Sequence, residues 1–234
     1  MTEFMIVRGT GETYGHNLPR AFMAPLLRTG DVVTEVDYPA SIGPANAKPG
    51  TWAAGMTRSR RVGKANLAEA IRRTENVPVL VGYSLGGFVV SDLLEDLAAG
   101  KFPELQVAGA IQIASPRAPR VNGREGLARA HGRYPAGLPV CEIRNWRDMI
   151  CNTPSDSPLM KLTGLVDLLT GGPADGMDVP AWILGELLRI GRVPTLTDYE
   201  LIMGYANGPE HTGRYTSDPV FRARVRAWRE SNRL

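Results

Sequence analysis

The sequence predicts a doubly wound α/β fold built on a mostly parallel sheet, and three features carry that expectation. Short continuous apolar runs alternate with longer stretches of helical spacing from the N-terminus to about residue 151. The runs lack the alternation of a half-buried strand, as expected where helices cover both faces of a parallel sheet. At 234 residues the chain fits one large domain, or one domain carrying an insertion.

Taken in order, Glu3 to Val7 is a buried strand that breaks into the loop Arg8-Gly9-Thr10-Gly11-Glu12. Leu18 to Leu27 has helical spacing, and Asp31 to Tyr38 reads as a second strand. The Pro, Gly, Ser and Ala content from Pro39 to Gly50 marks a long loop. Thr57 to Thr74 is an amphipathic helix with Val62, Leu67, Ala70 and Ile71 inward and its Arg and Lys outward. Val77 to Gly82 is the next strand, and a helix follows at once from Leu85 to about Ala99. Val107 to Ala114 and Leu138 to Trp146 are two further strands.

The pattern then changes. Residues 152–206 carry Pro and Gly linkers, two apolar helical runs (Met160 to Thr170 and Pro180 to Ile190) and no strand signal. They read as a helical insertion in a core formed by residues 1–151 and 207–234. An amphipathic helix near Asp218 to Ser231 closes the chain, with Phe221, Val225 and Trp228 on one face and arginines on the other.

Composition narrows the function classes. Hydrophobic residues at 43% and charged residues at 22% are ordinary for a soluble globular protein. A net charge of only +3, with no basic tract interleaved with aromatics, argues against nucleic acid as a partner. The small basic excess mildly favours an anionic surface such as a cell wall or membrane. No run approaches the roughly 18 apolar residues of a membrane span. The apolar stretch at the N-terminus is too short for a signal peptide, so the chain is expected to be made in the cytoplasm. The two cysteines, Cys141 and Cys151, allow at most one local bridge.

The chemistry is carried by Gly82-Tyr83-Ser84-Leu85-Gly86, a G-x-S-x-G pattern lying directly after a buried strand and directly before a helix. That context is the one a nucleophile elbow requires. The turn is tight enough to strain the serine backbone, and flanking glycines keep neighbouring atoms clear of it. The hydroxyl then stands at the carboxyl end of the sheet, where the next helix points its N–H groups and positive dipole end. Serine alone is a weak nucleophile and needs a base and an orienting acid, which in such folds follow it in that chain order of acid, then histidine.

Of the three histidines, His16 precedes the serine and His131 comes before the last predicted strand. His211, in the late loop Gly208-Pro209-Glu210-His211-Thr212-Gly213, is the candidate base. Asp148, just beyond the strand Leu138 to Trp146, is the candidate acid, with Asp156 as its nearest competitor. Asp167 and Asp178 fall within the insertion and are expected to be solvated. The oxyanion donors are expected to be the backbone N–H groups of Leu85 and Thr10, the latter on a loop whose glycines allow close approach. Such a set needs no metal or organic cofactor.

These segments resemble the cutinases of the α/β-hydrolase superfamily. The loop Arg8 to Glu12 looks like their oxyanion loop, and Gly82 to Gly87 like their elbow, although they usually have Gln where this chain has Leu85. Cys141 to Cys151, with Asp148 three residues before the second cysteine, is similar to the cutinase segment that bears the catalytic aspartate and a disulfide. The spacing between the two cysteines is longer than the fungal pattern. The stretch from Asp148 to His211 is also far longer than in cutinases, and it resembles lysin B, the actinobacteriophage esterases with a helical linker at that place.

That likeness implies hydrolysis of the ester between mycolic acid and arabinogalactan. It also implies a host-made protein without a signal peptide that reaches the envelope at lysis. Met160, Leu165, Leu168 and Leu169, then Trp182, Ile183, Leu187 and Leu188, give the insertion two apolar faces. These faces either wall a groove for a long acyl chain or bury each other and the sheet.

Overall fold

Three of the strands are mostly apolar, and the structure buries them along their whole length. They are β1 (Glu3–Val7), β3 (Val79–Tyr83) and β4 (Gly109–Ile113). The edges of the same sheet are β2 (Val32–Glu35) and β6 (Val140–Ile143), each only partly buried. All five strands are parallel, in the order β2-β1-β3-β4-β6. The computed structural model describes residues 1–42, 55–162 and 179–234.

Alternate side chains of the central strands feed two apolar layers. Met5, Val7 and Leu80 pack against α2 (Met56–Arg73) and α3 (Leu85–Ala98), through Leu67, Ile71, Val89 and Leu93. Phe4, Ile6, Val79 and Val81 face the other way, toward α1 (Leu18–Met23) and the C-terminal part of the chain. Helices therefore cover both faces, which is the doubly wound arrangement predicted. Asn17 caps α1 by accepting a hydrogen bond from Arg20 N at 3.1 Å. Asp92 pairs with Arg60 at 2.9 Å, and Asp96 with Lys64, tying α3 to α2 through partly buried ion pairs.

The segment 152–206 departs from expectation in two places. Thr153–Pro154 (β7) pairs antiparallel with Arg124–Glu125 (β5), a two-residue ladder too short to leave a periodic signal. A helix from Leu196 to Asn207 (α5) follows α4 (Val179–Arg189). The α5 sequence carries little amphipathic contrast, but Thr195 and Asp198 form a reciprocal capping box at its start. Ser157, 41 positions earlier in the chain, also donates a hydrogen bond to Asp198. Of the run Met160 to Thr170, the described part belongs to a 3-10 turn over Pro158–Lys161; residues 163–170 lie outside the described residues.

Leu159, Met160, Ile183, Leu187, Leu201 and Ile202 form a third apolar cluster with Leu127 and Met149 of the core loops. Two short steps complete the chain: α6 (Gly213–Ser217) and α7 (Pro219–Ser231), the latter capped by Asp218. Val225 is buried and Phe221 and Trp228 partly so, as expected, but one arginine breaks the pattern. Arg229 is buried on the same side, bonded to Leu26 O and to Asp31 Oδ2 at 2.8 Å.

Candidate active site

The site stands where the sheet order reverses, between β1 and β3, beyond the carboxyl ends of both strands. Open α/β sheets leave a crevice there. The loop from Arg8 to Glu12 leaves β1 on one side of it, and Ser84 leaves β3 on the other. Ser84 has φ 51° and ψ −118°, a conformation that strains any residue with a side chain. Its N–H donates to Ile113 O at 3.0 Å, and its carbonyl accepts from Phe88 N at 3.2 Å.

The glycines of the motif have a steric reason. A Cβ on Gly82 would meet Gly87 Cα at 2.7 Å, and one on Gly86 would meet Val7 O at 2.0 Å. The helix can therefore start directly over the end of β1 only if those side chains are absent.

His211 Nε2 lies 2.9 Å from Ser84 Oγ, and His211 Nδ1 lies 2.8 Å from Asp148 Oδ2. Asp148 is fully buried and His211 nearly so. A buried carboxylate accepts only, so it fixes the imidazole proton on Nδ1 and leaves Nε2 to accept from the serine. The structure thus joins the three residues singled out in the sequence into one hydrogen-bonded line, although Asp148 and His211 are 63 positions apart.

The other candidates stand apart. Asp156 is exposed. His131 stacks on Tyr134 with 3.7 Å between ring centroids, and His16 closes a tight turn on Thr13. Asp167 and Asp178 lie outside the described residues.

The loop after β1 shows which of its N–H groups remain to meet a ligand. Gly9 N donates to Glu12 Oε2 at 2.6 Å, Gly11 N to Ala40 O at 2.8 Å, and Glu12 N to Gly9 O at 3.4 Å. Among the described residues, no acceptor meets the N–H of Thr10, or that of Leu85 in the first turn of α3. The approach of Gly86 to Val7 brings the two segments together.

Arg8, buried, clamps this loop from beneath. It donates to Glu12 O at 3.0 Å, Val36 O at 3.3 Å and Tyr38 O at 2.5 Å, and Tyr38 OH donates back to Arg8 O at 2.5 Å. Glu12 also accepts from Leu18 N at 2.6 Å. Burial raises the Glu12 carboxyl above the ordinary range, against those two N–H bonds and the nearby His211 and Arg8.

Sequence reasoning missed several supporting residues. Tyr83 OH donates to His211 O at 2.6 Å, and its ring stacks on the imidazole with centroids 5.3 Å apart. Tyr205 of α5 covers the same ring at 5.1 Å. Asn145 Nδ2 donates to Glu210 O at 2.8 Å, and Tyr215 OH donates to Asp148 Oδ2 at 2.7 Å. Tyr83 stands inside the motif itself; the others carry no local signal.

Both cysteines are buried free thiols, and the Cys151 Sγ lies 3.7 Å from Asp148 Oδ2. Of the residues expected to wall an acyl groove, Leu187 is fully buried and Ile183 nearly so in the third cluster, where they pack helix to core. Trp182 is half-buried and Leu188 exposed, while Leu165, Leu168 and Leu169 lie outside the described residues.

The chain belongs to the alpha/beta hydrolase family, whose model matches residues 6–232. Among solved structures it is similar to lysin B from Mycobacteriophage D29, at 17% identity and a TM-score of 0.55, covering 95% of this chain and 98% of that one. It is also similar to the catalytic core domain of acetyl xylan esterase from Trichoderma reesei, at 18% identity and a TM-score of 0.51, over 72% of this chain and 96% of that one. A cutinase-like protein from Cryptococcus sp. aligns at 17% identity and a TM-score of 0.47, over 65% and 80%. Comparison with curated proteins returned no match. Among the described residues no helix is long and apolar enough to cross a membrane.

Proposed function

We propose that this chain is a serine esterase working by two-step acyl transfer, with Ser84 as nucleophile, His211 as general base and acid, and Asp148 as its orienting partner. One observation carries the reading: the unbroken line Ser84 Oγ, His211 and Asp148, with steps of 2.9 and 2.8 Å, on a strained turn at the sheet's crevice. Ser84 Oγ attacks the ester carbonyl as its proton passes to His211 Nε2. Asp148 stabilises the imidazolium that forms. The N–H groups of Thr10 and Leu85 receive the negative charge of the tetrahedral intermediate. His211 then protonates the leaving alkoxide, and water resolves the acyl-enzyme by the same steps in reverse.

The ester we propose is the bond between mycolic acid and arabinogalactan, cleaved at the host envelope during phage lysis by a protein made in the host cytoplasm. The support is the resemblance to lysin B, namely the long, helix-bearing stretch between Asp148 and His211. On this reading residues 152–206 are an insertion in a hydrolase core of residues 1–151 and 207–234. A broader reading, a cutinase-like esterase on lipid or soluble esters, is favoured by one feature. Ile183 and Leu187 are spent on internal packing rather than on an open groove.

Two experiments test these readings. Ser84→Ala is expected to keep the fold and cut hydrolysis of a short p-nitrophenyl ester by at least about a thousandfold. Near wild-type activity in that variant removes Ser84 from its role. Release of free mycolic acid from purified mycolyl-arabinogalactan, compared with fatty acid release from triglyceride, separates the two substrates.

A further inference from the structure

Asp148 Oδ2 meets two close donors, with the Cys151 thiol a longer third at 3.7 Å. His211 Nδ1 approaches it at 2.8 Å and Tyr215 OH at 2.7 Å, while Oδ1 accepts the Ile150 N–H at 2.9 Å. Tyr215 is fully buried and comes from α6, four residues after His211, so one short stretch of chain brings both donors to one oxygen. Burial and the neighbouring carboxylate keep its phenol protonated, which makes Tyr215 the donor. Its oxygen in turn accepts the Asn145 N–H at 3.2 Å and faces Cys151 Sγ at 3.3 Å.

We propose that Tyr215 is a positioning residue of this site, its hydroxyl fixing the Asp148 carboxylate and drawing off part of its charge. The inference rests on the esterase reading above. Two physical effects follow. A carboxylate held by donors on both oxygens cannot rotate away from the imidazole. A carboxylate that shares its charge with a phenol also attracts the imidazolium formed during turnover less strongly.

The groups facing His211 from the packed elements are Glu12 after β1, Tyr83 on β3, Asp148 after β6, and Tyr205 on α5, with Cys151 behind Asp148 and Tyr215. Glu210 and Arg147 stand 3.8 Å apart beside the histidine loop. The variants below leave all of these unchanged.

The test is the pH profile of kcat/KM on a short p-nitrophenyl ester. Tyr215→Phe keeps the ring that packs 5.1 Å from Phe221 and removes only the hydroxyl. It is expected to lower kcat about three- to tenfold with KM unchanged. It should also move the acid limb upward by about half a unit to one unit, because a less shared carboxylate holds the imidazolium more tightly.

Placing 3-fluorotyrosine at position 215 alone keeps the shape, makes the phenol a stronger donor, and is expected to move the limb downward. If the Phe variant does not fold, the fluorinated protein decides. A limb that stays in place, or a loss confined to KM, overturns the role of Tyr215. The esterase reading fails separately, when the wild-type protein shows no Ser84-dependent turnover at all.

Discussion

Gly86 offers a quantitative check on the geometry, because one added methyl group falls between the two segments expected to bind the oxyanion. An alanine Cβ there would lie 2.0 Å from Val7 O and 2.6 Å from Arg8 O, both backbone atoms with no side-chain freedom to yield. To reach ordinary contact, the start of α3 and the end of β1 would have to part by about 1.4 Å, which fully packed elements resist. The expected cost of Gly86→Ala is about 3–5 kcal/mol, and any folded fraction should turn over ester slowly because Thr10 and Leu85 are moved apart.

Two controls use the same substitution. At Gly87 the Cβ would meet Gln112 Oε1 at 3.0 Å, the far end of a side chain that can shift, and Ser115 Cα and Cβ at 3.2 Å, which are fixed by the backbone. A loss of about 1–2 kcal/mol is expected there. At Gly185 of α4 nothing lies within 4 Å, so alanine should stabilise by about 0.5–1 kcal/mol through helix propensity. Urea denaturation of the three variants, read beside ester turnover, gives the order directly. A Gly86→Ala protein within 1 kcal/mol of wild type would refute the close approach on which the oxyanion assignment depends.

Two further predictions concern other buried titratable groups. Both carboxylate oxygens of Glu142 on β6 are buried and, among the described residues, without a hydrogen-bond partner. Burial pushes this carboxyl up to about 8, against the pull of Arg144 and Arg224, from 4.5 in the unfolded chain. Between those values the folded state holds a proton that the unfolded state has lost. Stability therefore falls as pH rises through that window, by up to about 1.4 kcal/mol per unit, with the loss complete above it. Glu142→Gln escapes the penalty, so its urea midpoint should gain on wild type between pH 5 and pH 8; an equal difference at both values contradicts the mechanism. For the cysteines, burial pushes the Cys141 thiol up to about 12, and burial with the Asp148 charge raises Cys151 as well. Neither should react with a disulfide reagent such as DTNB until the protein unfolds, and rapid labelling of the native protein would count against the burial described.

The parts of this molecule that were legible in the sequence are those in which local pattern and tertiary role coincide. β1, β3 and β4 read as mostly apolar runs because both their faces are covered, and the elbow reads as Gly-x-Ser-x-Gly because its glycines face backbone. Where the determinant lies elsewhere in the chain, the sequence was silent. Asn145, Tyr205 and Tyr215 matter through contacts with residues 65, 6 and 67 positions away, at Glu210, His211 and Asp148. Arg229 was assigned to the solvent face by its charge, and Asp31, 198 positions earlier, is what allows its burial. The α5 helix escaped notice because its signal is a capping box rather than a stripe.

The length of chain between Asp148 and His211 then has a physical explanation. The histidine loop is not positioned by the helices that precede it alone. Tyr83 OH holds the His211 carbonyl, Asn145 holds the Glu210 carbonyl, and Tyr215 returns to Asp148, so three contacts with the elbow strand and the β6 loop fix the imidazole. Those anchors belong to the sheet's own rim, and the number of residues strung between them does not enter the geometry of the base. Tyr205 is the exception, since it lies on α5 and covers the ring. A stretch so tethered at both ends can lengthen at modest entropic cost, growing only with the logarithm of its length. That is why order along the chain was a sound guide to which histidine and which aspartate meet Ser84 in one line, whereas the spacing between them carried no information about their geometry.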